Sequence, residues 1–91
     1  MRKICLITGS SGLIGSESVE FFSEKFDKII GIDNNMREYF FGQEASTDWN
    51  TKRLENTVQN FEHNSIDIRD IKGLEKIFDS YNSDIELIVH T

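Results

Sequence analysis

Eight residues near the start constrain this chain more than any others: Thr8-Gly9-Ser10-Ser11-Gly12-Leu13-Ile14-Gly15. They join two unlike stretches. Before them, Lys3 to Thr8 is a short run dominated by apolar residues, the pattern of a strand buried on both faces of a parallel sheet. After them, Leu13, Ile14, Val19, Phe21 and Phe22 recur at helical spacing, with Glu17, Glu20, Glu24 and Lys25 on a solvated opposite side. Glycines at a strand-to-helix junction have separate tasks. One permits the tight turn, one lets the backbone approach a pyrophosphate, and one lets the helix pack closely on the strand. Free amides and the positive end of the helix dipole then meet the phosphate charge. An ordinary strand-to-helix turn also uses glycine, and the buried strand before it and amphipathic helix after it favour the phosphate reading.

A second strand is expected over Lys28 to Asp33, where Ile29, Ile30 and Ile32 are β-branched. Asp33 ends it about 20 residues beyond the glycine turn, where a carboxylate can accept hydrogen bonds from the ribose hydroxyls of adenosine. Such a carboxylate repels a 2′-phosphate, so NAD is favoured over NADP. Taken alone, Asp33 also reads as a strand terminator. Arg37 is close enough in sequence to contact a cofactor phosphate or to accommodate a 2′-phosphate.

Asn34 to Glu44 reads as a loop carrying Tyr39-Phe40-Phe41-Gly42, aromatics for packing or for a partner surface. A helix follows, with Ser46 or Thr47 as N-cap and Trp49, Leu54 and Val58 on one side. Phe61 to Asp67 is expected to form a third strand. After it, Asp67 is placed to accept a bond from the adenine amino group while Ile68 covers the ring; Asp67 equally suits the end of a strand and a turn. Asp70 caps a third helix with the face Ile71, Leu74, Ile77, Phe78 and Tyr81. Ile85 to Thr91 is a fourth strand. Strands alternating with helices imply an α/β fold with a parallel sheet and right-handed crossovers, one unit over residues 1–91.

The formal net charge of -6 and pI near 4.8 argue against a nucleic-acid or anionic-membrane partner, and the ten Lys and Arg are scattered with no run long enough to form a basic patch. No stretch approaches the roughly 20 apolar residues of a membrane span, and the apolar run after Arg2-Lys3 is too short for a signal peptide. Cys5 is the only cysteine, lies in an apolar run and suits a reducing cytoplasm as a buried, inert thiol. His63 and His90 lack metal-ligand spacing and are expected to be structural. Ser10 and Ser11 lack the pattern of a nucleophile elbow, which leaves turn or phosphate contacts.

The glycine turn as TGxxGxxG, Gly31-Ile32-Asp33-Asn34, Ser65-Ile66-Asp67-Ile68-Arg69-Asp70 and Leu87-Ile88-Val89-His90-Thr91 together resemble the extended short-chain dehydrogenase/reductase family. Within it the chain is similar to the NAD-dependent nucleotide-sugar epimerases and dehydratases. Asp33-Asn34-Asn35-Met36-Arg37 and the ending Ile88-Val89-His90-Thr91 are most similar to the branch of CDP-paratose/CDP-tyvelose 2-epimerase. The resemblance spans the whole chain. It implies a Rossmann-type sheet of order 3-2-1-4 with helices on both faces, cut off after the fourth strand. It also implies NAD as cofactor, held by Gly9, Ser11, Gly12, Leu13, Ile14, Asp33, Asn34, Asp67 and Ile68, with Arg37 and Thr91 as additions. The segment from Asn35 to Asn60 is longer than in the shorter members.

Members of that family carry a Tyr-x-x-x-Lys pair in their second half, where the phenolate takes the substrate hydroxyl proton as hydride passes to NAD. Here Tyr39 is followed at that spacing by Gln43 and Tyr81 by Ile85. The expectation is therefore a cofactor grip without its catalytic half. A fourth strand with an unpaired apolar edge leads further, to a chain that self-associates, is partly unfolded, or is completed by another polypeptide. The alternative to an enzyme part is a non-enzymatic NAD or nucleotide-binding module.

Overall fold

The computed structural model describes residues 3–33 and 48–91. Their order is β1 (Ile4–Thr8), α1 (Leu13–Ser23), β2 (Lys28–Ile32), α2 (Asp48–Thr57), β3 (Phe61–Asn64), α3 (Ile71–Tyr81), a short 3₁₀ turn (Asn82–Asp84) and β4 (Ile85–His90). The strands form one parallel sheet in the order β3-β2-β1-β4, the Rossmann-like α/β arrangement expected.

Alternation along the strands divides the core in two. Cys5, Ile7 and Ile29 point to one face, where Val19 and Phe22 of α1, Leu54 of α2 and Val58 just after it cover them. Ile4, Leu6, Ile30 and Ile32 point to the other, beneath Leu74, Ile77 and Tyr81 of α3. Burial pushes the Cys5 thiol up to about 11, so it stays protonated and unreactive at neutral pH. The β1–β4 pairing slips by one residue between Ile4 and Cys5. Beyond the slip, Leu87 and Val89 face the α1 side, and Ile88, on the opposite side, is 52% exposed. No helix among the described residues is long and apolar enough to cross a membrane.

Several helix faces differ from the expected ones. Leu13, Ile14 and Phe21 are exposed, while the expected Val19 is buried together with Gly15 and Ser16, which were not expected there. The cause is closeness: the start of α1 lies directly on the turn, leaving room only for small side chains between them. Trp49 is also exposed, and the buried side of α2 is Asn50, Thr51 and Leu54, continued by Val58 just beyond its end. On α3, Ile71 and Phe78 are exposed, and Ile77 is the buried residue, with Leu74 and Tyr81 partly buried beside it. β3 ends at Asn64, three residues before the expected Asp67, because the Ile66 amide turns back to the Asn64 carbonyl at 3.0 Å. The expected cap of α3 is present, with Asp70 Oδ1 accepting from the Gly73 amide at 3.1 Å. The expected Ser46 or Thr47 cap of α2, and the Tyr39 to Gly42 loop, lie outside the described residues.

Gly31 sits where β2 passes beneath the glycine turn. A Cβ there would overlap Ser10 Oγ and lie 2.6 Å from Cε1 of Phe61. Ser10 is fully buried, and its hydroxyl has no hydrogen-bond partner among the described residues. Gly31→Ala is expected to cost about 1–3 kcal/mol by overpacking. Ser10→Ala should be nearly neutral, since it removes an unsatisfied buried hydroxyl. The double variant should recover part of the Gly31→Ala loss, because the methyl then meets one fewer atom. Urea denaturation midpoints read all three, and strictly additive effects would show that Ser10 is not what the methyl strikes.

Candidate functional site

At the C-terminal end of the sheet the strand tips open a crevice of about 120 Å³ lined by Thr8, Gly9, Ile32, Asp33, Ile66, Asp67, Ile68, His90 and Thr91. Order 3-2-1-4 places it there, because the connection leaving β1 runs to β2 on one side, while the connection leaving β3 crosses back to β4 on the other. Five of the residues expected to hold a cofactor (Gly9, Asp33, Asp67, Ile68 and Thr91) come together in this crevice. Ser11, Gly12, Leu13 and Ile14 form its neighbouring lip. Asn34 and Arg37 lie outside the described residues.

The turn is built by its glycines in distinct ways. Gly9 has φ +66°, which favours glycine, and a Cβ on it would press on Thr91 Oγ1 at 2.6 Å. Gly15 lies so close to the turn that a Cβ would overlap the Gly9 carbonyl oxygen. A Cβ on Gly12 would meet only that same oxygen, at 3.3 Å, with open space otherwise. Gly12 is the N-cap of α1 and supplies no side-chain bond to it. The first-turn amides of Leu13, Ile14 and Gly15 therefore have no acceptor within the helix. No acidic residue occupies that first turn to offset the dipole.

Asp33 stands beside this lip, and its Oδ2 accepts the Ser11 amide at 3.1 Å. Ser11 itself is 1% exposed. Its hydroxyl pairs with Thr51 Oγ1, and its carbonyl accepts the Asn50 side-chain amide at 2.8 Å. On the other wall Arg69 clasps Asp67 through Nε at 3.0 Å and Nη2 at 2.6 Å, and through its backbone amide at 2.8 Å. The side-chain bonds from that guanidinium, then the backbone bond, hold the Asp67 carboxyl down at about 2. Asp67 is thus ionised across the physiological range. The fourth strand closes the floor. Thr91 donates Oγ1–H to the Thr8 carbonyl at 2.7 Å and N–H to Thr8 Oγ1 at 3.2 Å, and that hydroxyl also meets His90 Nδ1 at 2.7 Å.

Open room at Gly12, outward helix amides and a fixed carboxylate suit a dinucleotide's adenosine diphosphate. Sequence reasoning missed Thr8, His90, Arg69, Asn50 and Thr51. Arg69 was signalled by its place two residues after Asp67. Asn50 and Thr51 were signalled only by two uncharged polar residues standing where an amphipathic helix needs a buried face.

The solved structure of a UDP-glucose 4-epimerase with UDP-glucose, from the hyperthermophilic eubacterium Thermotoga maritima, is similar to this chain at a TM-score of 0.66 and 25% identity. The match covers 97% of this chain and 23% of that one. No curated protein sequence matches. The family model described as GDP-mannose 4,6 dehydratase matches residues 6–90, a span that takes in the turn, both crevice carboxylates and all but the last residue of the floor. With that match, and with the turn, sheet order and strand-end crevice above, the chain belongs to the GDP-mannose 4,6 dehydratase family.

Proposed function

We propose that residues 1–91 grip the ADP part of NAD as the cofactor-binding portion of an NAD-dependent nucleotide-sugar epimerase or dehydratase. One observation carries the reading. The Asp33 carboxylate, held by the Ser11 amide, lines the crevice beside the lip where the α1 amides lack helical acceptors. In this reading Leu13 and Ile14 present amides to the pyrophosphate, and Gly9 and Gly12 leave it room. Ser11 orients Asp33, which takes the ribose hydroxyls. Asp67, Ile68 and Thr91 border the adenine, while Asn34 and Arg37 are assigned from sequence alone. The negative charge of Asp33 favours NAD over NADP. NAD supplies the hydride acceptor of the parent reaction, for which the CDP-paratose/CDP-tyvelose 2-epimerase branch is the reading favoured by Asp33 to Arg37 and Ile88 to Thr91. The Tyr-x-x-x-Lys pair is absent from these 91 residues, so they do not turn over a sugar nucleotide by themselves. The single buried thiol suits a cytoplasmic protein.

Calorimetric titration of the 91-residue chain with NAD tests the reading. Binding is expected with a dissociation constant weaker than about 1 μM, since the contacts proposed above engage only the ADP half of the dinucleotide. No heat at millimolar NAD would remove the assignment, and tighter binding would remove the claim that the grip is partial.

A second reading is favoured by the outer side of β4. It has no strand partner among the described residues, and Ile88 is half exposed. On this reading the chain is a binding module completed by another polypeptide, or by its own copy, at that edge. Sedimentation of the isolated chain should show association or incomplete folding. A monodisperse monomer that melts cooperatively would exclude it.

A further inference from the structure

We propose that Asn50 is a positioning residue of the cofactor site, holding the glycine turn in its phosphate-accepting form from the start of α2. The proposal rests on the cofactor reading above and adds to it a helix that the sequence connects to no ligand.

The Ser11–Gly12 peptide is pinned at both ends. Its carbonyl accepts Asn50 Nδ2–H at 2.8 Å, and its Gly12 N–H donates to the Gly9 carbonyl at 3.0 Å. That peptide sets the direction in which Gly12 leads into α1, and so the direction of the Leu13 and Ile14 amides. Turning it over would set its carbonyl oxygen against that of Gly9. Asn50 is itself held: it is 4% exposed, and its Oδ1 accepts Arg53 Nε–H at 2.9 Å. Arg53 in turn pairs with Glu20 of α1 through its Nη1. The chain of contacts runs from the outer side of α1, across α2, into the turn that opens α1. Asn50 is buried with both ends of its amide bonded to protein groups, so it acts through Ser11 and not by touching a ligand.

Burying Asn50 merely to pack α2 is a poor account of it. An amide placed against a core costs free energy unless both its ends are bonded. Here one end is bonded to the turn and the other to a guanidinium aimed at it. Neighbouring Thr51 repeats the arrangement on the Ser11 hydroxyl.

The test separates phosphate from nucleoside. ADP and adenosine are titrated into wild-type chain, Asn50→Leu and the charge-neutral double variant Glu20→Gln/Arg53→Gln, with binding and backbone amide shifts read by NMR. Asn50→Leu keeps the side chain's shape and charge but removes the donor. It is expected to weaken ADP about 10-fold, the loss of roughly one good hydrogen bond, and to leave adenosine within about 2-fold. The Gly12 and Leu13 amide resonances should shift without ligand. The exposed double variant should show the same split, at about 3-fold for ADP, and serves if Asn50→Leu does not fold. Equal losses for ADP and adenosine, or unmoved Gly12 and Leu13 resonances, would overturn the proposal. If wild-type chain takes up neither ligand, the cofactor reading fails, while the two resonances still decide whether Asn50 sets the turn.

Discussion

Gly15→Ala will cost this chain its cooperative fold, the opposite of what helix propensity foretells. An alanine inside a helix normally stabilises by about 1 kcal/mol relative to glycine. At Gly15 the added methyl would overlap the Gly9 carbonyl oxygen, lie 2.7 Å from the Gly9 carbonyl carbon and 3.0 Å from Ser10 Cα. All three are backbone atoms, so no side chain can swing aside. The turn cannot retreat either, since the Gly9 amide is bonded to the Ile32 carbonyl at 2.7 Å and Gly9 already has φ +66°. Either α1 lifts from the sheet, exposing Val19 and the face of Cys5 and Ile7, or the turn breaks its bonds. Both cost more than about 3 kcal/mol, a large part of the margin available to so short a chain. The expected result is loss of the cooperative thermal transition by circular dichroism, together with loss of NAD heat. Gly12→Ala is the control. Its methyl meets one atom at 3.3 Å and otherwise open space, so the melt should move little while NAD binding falls. A Gly15→Ala chain melting within a few degrees of wild type would show that the close approach of α1 to the turn is not required.

What was legible in the sequence was what is local. The glycine turn, Asp33, the Asp70 cap and the isoleucine-rich β2 are each specified by residues a few positions apart. Apolar patterning placed β1, β2, β4 and the three α-helices; β3, with one apolar residue in Phe61-Glu62-His63-Asn64, was expected three residues too long, and the 3₁₀ turn Asn82–Asp84 was not expected. The patterning failed on which side faces inward where a helix end meets a turn instead of a sheet. Leu13 and Ile14 look like core and are exposed; Asn50 and Thr51 look like surface and are buried. In both cases a backbone segment needing room or bonds replaced the sheet as the helix's neighbour. The Asn50–Ser11 bond spans 39 positions and joins polar groups, so no hydrophobic pattern could report it. The slip between β1 and β4 was equally hidden, because both strands are apolar on each side of it. Arg69 was visible in the sequence but not its effect, since only the folded turn after β3 brings guanidinium and backbone amide onto one carboxylate.

Asp33→Asn is expected to weaken NAD about 10-fold and to leave NADP unchanged or tighter, and the second half of that result is the more telling. Two contacts of Asp33 bear on the cofactor. Its Oδ2 accepts the Ser11 amide at 3.1 Å, and in the proposed complex the carboxylate receives ribose hydroxyls. Asparagine can still accept from Ser11 through its carbonyl oxygen, so that support of the lip is kept and the variant removes the charge offered to the ribose. Alanine cannot, and Asp33→Ala should lose further affinity and some stability. A hydrogen bond to a charged group contributes about 1.5–3 kcal/mol and a neutral one about half that, so losing the charge alone accounts for roughly a factor of 10. The 2′-phosphate of NADP sits where a ribose hydroxyl would, a few ångströms from the same carboxylate. Repulsion there is about 1 kcal/mol per unit charge in water and several times that where the crevice excludes it. Removing the charge abolishes this penalty, and the NAD:NADP preference should collapse while both dinucleotides keep their pyrophosphate contacts. The discrimination shown by wild-type chain should itself shrink as salt is raised, because the opposing charges lie near the surface. Equal loss for NAD and NADP in Asp33→Asn would mean that Asp33 only supports Ser11, and the ribose would then have to be held from somewhere else.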